Sequence, residues 1–196
     1  MTIASMRKSP LACFDSLEHI DECNAPDTLT SAQSNDFEMA LSFLKQYSGS
    51  TGTFNSYRRD LERLLHWSWH IALKTLDELK RTDIENFIRF CQRPPAAWIG
   101  VKKAPRFIEK QGERRSNPDW RPFVATVAKS AFKKGQLPDK KAYFASNTGI
   151  KQLMATSSSF YQYLLLEEYT ATNPVALIRQ KSKFVQTRQG QTKVRR

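Results

Sequence analysis

Five polar or basic side chains share one face of a helix that the sequence predicts over residues 53–70, "TFNSYRRDLERLLHWSWH". At roughly 100° per residue they project within about 80° of one another, opposite an apolar stripe. Arginine supplies charge for phosphates, while asparagine and histidine supply hydrogen bonds for base edges. The pattern predicts a helix that enters the major groove of DNA, and the alternative is a merely solvated face. The five residues are Asn55, Arg59, Arg63, His66 and His70.

The same helix offers a second chemistry, because His66 and His70 lie one turn apart and Glu62 lies one turn earlier. Two histidines at this spacing are typical of a metal-binding face, but zinc needs a third and usually a fourth ligand. The sequence has no H-E-x-x-H, no G-x-S-x-G and no glycine-rich phosphate loop. We therefore expect no metal site, no cofactor and no catalytic residue.

The charge of the chain favours a polyanionic partner. Lys and Arg number 31 against 19 Asp and Glu, which gives a net charge of +12. Thirteen basic and four acidic residues fall in 92–145, and seven basic and no acidic residues fall in 179–196. Nucleic acid is the partner that this excess favours, ahead of an anionic membrane surface.

No spanning helix is predicted, because no run of 18 apolar residues occurs, and no secretory signal is predicted, because the N-terminus "MTIASMRKSPLACF" lacks an uninterrupted apolar stretch. The three cysteines are an odd number without a C-x-x-C pair, so we expect reduced thiols. These features predict a cytosolic protein that does not bind membranes.

Helical periodicity and capping patterns indicate an all-α domain. Asn35 with Glu38, and Thr82 with Glu85, are spaced as capping boxes. Residues 1–34 show no sustained period, and we expect a loose leader with one short helix near residues 11–22. The predicted helices cover residues 35–47, 53–73, 82–93, 123–135 and 148–169.

A long basic insertion, residues 92–145, separates the third helix from the last long helix. Its tryptophan and phenylalanine residues predict that it is anchored to the domain. Its basic residues are candidates for a clamp on the DNA backbone, and the alternative is that they only keep a long loop soluble. The candidates are Lys102, Lys103, Arg106, Arg114 and Arg115.

The last long helix has an outer face of small and polar side chains that permits close approach of a partner. We expect Lys151, Gln152 and Ser159 of this face to contact DNA, next to Ala155 and Gln162. Trp67 and Trp69 of the earlier helix could stack on bases, but packing in the core is favoured.

The predicted fold is thus a small bundle of four to five helices with a long basic insertion between the third and last long helices. The leader spans residues 1–34, the helical domain spans 35–178, and a basic interdomain linker spans 179–196.

Three stretches, "TFNSYRRDLERLLHW", "LDELKRTDIENFIRFC" and "FYQYLLLEEYTATNPV", followed by the basic tail, resemble the N-terminal core-binding region of tyrosine recombinases, also called phage-type integrases. The insertion resembles the longer variant in integrases of mobile elements. The resemblance implies a SAM-like helical domain in the bacterial cytoplasm that clamps one side of duplex DNA while a catalytic domain closes on the other. It also implies that the helices at 53–70 and 148–169 address the major groove.

The family's chemistry requires a His-x-x-Arg motif and a tyrosine nucleophile. Here His19, His66 and His70 are followed three residues later by Glu22, Trp69 and Leu73. We therefore expect an N-terminal fragment without catalysis, monomeric alone, which meets other integrase protomers when full length. Two alternatives remain: a basic adaptor that binds RNA or a protein partner, and a metal-dependent nuclease that uses His66 and His70.

Overall fold

The computed structural model describes residues 8–185 of the chain, and about half of the chain is helical. The five α-helices are α1 (Ser31–Lys45), α2 (Thr51–Trp67), α3 (Arg81–Gln92), α4 (Lys129–Lys133) and α5 (Asn147–Leu166). The strands are β1 (Ile99–Gly100), β2 (Phe107–Lys110), β3 (Glu113–Ser116) and β4 (Phe123–Val124).

The helices begin where local capping stabilises their first turn. Thr30 caps α1 in a capping box with Gln33, so this helix starts before the predicted box at Asn35. Ser50 caps α2 by accepting the backbone N–H of Thr53. Helix α3 begins at Arg81. The carboxylate of Asp83 caps it by accepting a hydrogen bond from the backbone N–H of Lys80, the residue before the helix. The predicted helices at these positions therefore form, with shifted ends.

Helix α2 lies at the centre of the bundle, against α1, α3 and α5. Phe43 of α1 packs on Phe160 of α5 with ring centroids 5.2 Å apart. A π-helical turn, Ser68–Ala72, extends α2 at its C-terminal end. Trp67 and Trp69 are buried in this core, which confirms packing over base stacking. Within residues 8–185, no helix is long and apolar enough to cross a membrane.

The described domain is mainly helical, as predicted, but the insertion contains strands, so the domain is not purely α-helical. Strand β1 pairs in parallel with β4, and β2 forms an antiparallel hairpin with β3. The hairpin turns at Gln111 and Gly112, whose φ angles of 56° and 77° suit a tight primed turn. The helix predicted over 123–135 is replaced by β4 and, later, by the short α4. Phe123 is buried in the core from a strand.

The leader is not loose over the residues that the structure describes. Ala12, Cys13 and Phe14 are buried, and the ring of Phe14 stacks on Phe37 of α1 with centroids 4.9 Å apart. A 3-10 helix at Leu17–Glu22 lies within the range of the predicted short helix. The expectation failed because an extended segment can bury side chains without any helical period.

The start of the predicted basic linker also packs on the domain. A 3-10 helix, Lys181–Phe184, buries Phe184, whose carbonyl accepts a hydrogen bond of 2.9 Å from Gln92 Nε2. Lys183 lies 3.0 Å from Glu85 of α3. The remainder of this prediction, residues 186–196, falls outside the described residues.

Candidate nucleic-acid interface

A cavity of about 600 Å³ lies between α2 and the insertion, and we call it the arginine cleft. One wall is formed by α2 between Asn55 and Arg63, and the other by residues 103–107, 120–122 and 124. Seven basic side chains line it: Arg58, Arg59, Arg63, Lys103, Arg106, Arg114 and Arg121. Residues distant in sequence are therefore gathered into one strongly cationic concavity.

On the α2 wall, neighbouring arginines have different roles. Arg59 is partly exposed and pairs with the buried carboxylate of Asp60 at 2.8 Å. Arg63 donates two hydrogen bonds, of 2.9 and 3.1 Å, to the carbonyl of Pro122, and its guanidinium lies 4.4 Å from the ring centroid of Phe123. Arg63 therefore anchors the insertion, whereas Arg59 remains open to a ligand.

On the insertion wall, Arg106 is the most enclosed cation. It pairs with the buried carboxylate of Glu62 and lies 4.8 Å from the ring centroid of Trp120. Burial lowers the pKa of Arg106 to about 9, because a low-dielectric surrounding disfavours the charged form. Burial likewise lowers the pKa values of Arg58 and Arg63. The cleft is thus an environment in which positive charge is poorly solvated.

The five polar and basic residues that were predicted to share one face of α2 are not all exposed to solvent. His66 is buried, between the leader on one side and Trp98 and Trp120 of the insertion on the other. Burial, followed by the nearby His70, lowers the pKa of His66 to about 3, so this ring is neutral. The prediction that His66 contacts DNA therefore fails for this conformation, because the insertion and the leader cover that part of α2.

In the structure, the thiol of Cys13 lies beside Glu62 and His66, two of the residues that the sequence suggested as metal ligands. Cys13, Glu62 and His66 offer atoms within 4.8 Å of one another. Hydrogen bonding accounts for the cluster: Glu62 accepts the backbone N–H groups of Cys13 at 2.6 Å and Phe14 at 3.3 Å, and it also pairs with Arg106. A divalent cation there would share Glu62 with a guanidinium, so the arrangement favours a structural role.

The insertion residues proposed as a clamp divide into two groups. Lys102 and Lys103 are exposed, and neither makes a hydrogen bond or ion pair with the residues that the structure describes. Arg114 instead donates to Asp15 of the leader at 2.8 Å, and Arg115 pairs with Glu113 of the same hairpin. Arg106 and Arg114 thus attach the insertion to the domain, Arg115 pairs within the hairpin, and the two lysines stay available.

Helix α5 presents the second predicted surface as an open groove of about 750 Å³, which we call the α5 groove. Its floor is formed by Lys151, Met154, Ala155, Ser158 and Ser159, and its other edge by residues 181–185. Lys151 and Ser159 are exposed and Gln152 is half-buried, as the predicted outer face requires.

A second cavity adjoins the arginine cleft on the side of α5. This smaller cavity of about 170 Å³ lies between Arg59 of α2 and the first turn of α5 at Ser146 and Gly149. Asn55 is exposed at the edge of the arginine cleft, and His70 is exposed beyond the covered part of α2. The structure therefore gathers Asn55 and Arg59 with the insertion, and it leaves His70 apart.

Sequence reasoning missed three residues of the cleft: Arg58, Arg121 and Asp15. Arg58 lies outside the predicted row, yet its guanidinium donates to Asn55 Oδ1 at 2.7 Å and to the backbone carbonyl of Asp15. Arg121 lines the cleft from the insertion. The run of adjacent arginines at 58–59 was a usable signal for Arg58, whereas nothing local predicted the approach of the leader.

Comparison with known proteins supports the family resemblance for part of the chain. Residues 35–98 match the family model described as phage integrase, N-terminal SAM-like domain. This segment contains most of α1 and all of α2 and α3, and it ends within the first residues of the insertion. The matched domain is the N-terminal, non-catalytic part of phage integrases, and it indicates a role in the integrase and recombinase family. No curated protein and no solved structure matches the chain.

Proposed function

We propose that this chain binds duplex DNA as the core-binding domain of a site-specific tyrosine recombinase. In this role it would place a catalytic domain on the attachment site for DNA integration or recombination. The observation that carries the proposal is the arginine cleft, which gathers basic residues of α2 and the insertion beside the first turn of α5. The integrase family implies a DNA partner in general.

The two surfaces suit different parts of a duplex. Phosphate contacts position a protein on DNA, and the partly exposed Arg59 and the exposed Lys103 of the cleft suit that task, together with the neighbouring exposed Lys102. Base edges are read by side chains that approach closely, and the α5 groove offers Lys151 and Ser159 among small neighbours, with the half-buried Gln152 on the same helix. Asn55 at the edge of the cleft extends the polar surface of α2.

Two further parts of the proposal come from the resemblance. The isolated chain is a monomer in the bacterial cytoplasm, and the full-length integrase meets other protomers in the synapse.

The salt dependence of DNA binding tests the proposal. Each phosphate neutralised adds about 0.9 to the slope of log affinity against log salt. Replacing Lys102 and Lys103 together by Ala should therefore flatten that slope by about 2, with little change in preference between DNA sequences. The matched control is Lys133→Ala with Lys134→Ala, two exposed lysines at α4 that lie outside the cleft lining, and it should keep the slope.

Arg106 is left unchanged in this test, because its pairing with Glu62 makes it part of the fold. An unchanged slope in the double variant, with helical content preserved, would contradict the use of this surface. Equal competition by an RNA hairpin would contradict duplex DNA as the partner and favour the RNA-binding adaptor.

A further inference from the structure

The arginine cleft carries more positive charge than its carboxylates neutralise. Among the described residues that line it, seven are cationic and Asp15 alone is acidic. Behind the walls, Asp60 pairs with Arg59 at 2.8 Å and with Arg63 at 3.4 Å. Including Glu62, which pairs with Arg106, three carboxylates face seven cations. Several unit charges therefore remain without a counter-charge.

Three of the arginines are held in place mainly by neutral acceptors. Arg121 donates to the carbonyls of Pro118 and Trp120, each at 2.6 Å. Arg63 donates to the carbonyl of Pro122, and Arg58 donates to a carbonyl and to a side-chain amide. A carbonyl satisfies an N–H donor but does not cancel the charge, so the guanidinium groups are fixed in position while their charge stays available.

One donor of this group is unused. Arg58 Nε is buried and has no hydrogen-bond partner among the described residues. A buried unpaired donor costs free energy unless a ligand or water satisfies it. An anion in the cleft would provide both the missing acceptor and the missing charge.

The size of the cleft limits what can enter. Its volume of about 600 Å³ lies within the roughly 300–1,000 Å³ range of small-ligand sites, and it does not admit the width of a duplex. Guanidinium groups converge on it from α2 and from the insertion. A phosphate group, whose oxygens point in several directions, can accept from both walls at once, whereas a carboxylate offers two coplanar oxygens.

We infer that the arginine cleft binds a phosphate group, or a pair of adjacent phosphates, that carries two or more negative charges. The inference rests on the proposed function in one respect, because adjacent backbone phosphates of nucleic acid are one source of such a ligand. A free phosphorylated molecule is the other source. Arg121, which lines the cleft from the insertion, is one of the groups that contact the ligand.

Calorimetric titration of the full chain with inorganic pyrophosphate, at constant ionic strength in sodium chloride, tests the inference. We expect saturable binding at one site, and Arg121→Ala should weaken it about tenfold or more, the usual cost of one charge-assisted hydrogen bond. Arg121 bonds only to nearby carbonyls, so this variant should keep its helical content. Lys134→Ala, outside the cleft lining, is the matched control and should bind as the unchanged chain does.

Competition with a fluorescent mixed-sequence duplex identifies the source of the phosphate. Release of the duplex by saturating pyrophosphate would assign the cleft to backbone phosphates. Unchanged duplex binding would assign it to a free phosphorylated molecule, and both results support the site. If pyrophosphate binds and the duplex does not, the proposed function fails and the cleft remains a phosphate site.

Two results would overturn the inference. The first is the absence of saturable pyrophosphate binding while the duplex still binds, which would leave the proposed function intact. The second is tighter binding of a glutamate-only peptide than of pyrophosphate, which would assign the cleft to protein carboxylates.

Discussion

Two helices of this domain, α2 and α5, carry polar outer faces in the sequence, and the structure treats them differently. On α2 the leader and the insertion cover the face, so His66 is buried and Arg63 holds the carbonyl of Pro122. On α5 the face stays open as a groove with exposed Lys151 and Ser159. A polar helical face is thus free only where no distant segment packs over it.

The leader and the insertion, which together form the cover on α2, are held there by ion pairs and hydrogen bonds to charged groups. Glu62, Arg106 and the leader backbone form one buried cluster, and Asp15 with Arg114 forms a second attachment. Burying these charges is costly unless every partner is present. The cover should therefore depend on single residues, whereas α5 should tolerate changes on its open face.

The largest expected effect comes from breaking the cover. Glu62→Gln leaves the guanidinium of Arg106 buried without a counter-charge, and removing one partner of a buried pair costs about 3–5 kcal/mol of the free energy of unfolding. Urea unfolding measures this loss. Glu113→Gln, which disrupts the exposed pair with Arg115, is the control and should cost less than about 1 kcal/mol. Equal stability of the two variants would show that the α2 cover is not held by this pair.

Filling the open face of α5 should damage binding rather than folding. Ala155→Leu places a larger side chain on the floor of the α5 groove, and we expect duplex affinity to fall about tenfold, or about 1.4 kcal/mol, because a closely packed interface does not tolerate the added volume. Fluorescence anisotropy with a mixed-sequence duplex measures the affinity. Ala32→Leu, at an exposed position of α1, is the matched control. Unchanged affinity in Ala155→Leu would remove α5 from the interface.

The presence of four of the helices followed from local information, although their ends shifted, and the packing of the leader and the insertion over α2 did not. Apolar side chains recurring every three or four residues indicated α1, α2, α3 and α5, because that period is set within each helix. The burial of His66 depends on Cys13 and Trp98, which lie far away in the sequence. The strands of the insertion are only two to four residues long, too short for an alternating pattern, although Gln111–Gly112 was a usable turn signal.

Lowering the pH should have a smaller effect on the free energy of unfolding. This effect arises because His66 is buried beneath the leader and the insertion and is therefore neutral in the folded chain. The pKa of His66 is lowered from 6.5 to about 3, so the unfolded chain binds this proton more readily than the folded chain. The contribution of His66 is therefore complete above pH 6.5 and is lost as the pH falls towards 3, by about 1 kcal/mol between pH 6 and pH 5.

The variant His66→Gln isolates this contribution. Its stability relative to the unchanged chain should rise by that amount between pH 6 and pH 5 in urea unfolding. Comparing the two proteins cancels the opposite trend of Asp36, whose pKa burial raises to about 6 and whose contribution is lost as the pH rises from 3.8. A stability difference that does not change with pH would mean that His66 is accessible to protons, and that the cover on α2 opens readily.

Acetylation of lysines, read by mass spectrometry with and without a mixed-sequence duplex, tests the central claim most directly. The claim is that DNA meets the edge of the arginine cleft and the α5 groove. We predict that DNA protects Lys102, Lys103 and Lys151, and that Lys133 and Lys134 at α4 remain reactive. Protection of the two lysines at α4, with Lys102, Lys103 and Lys151 still reactive, would contradict the account.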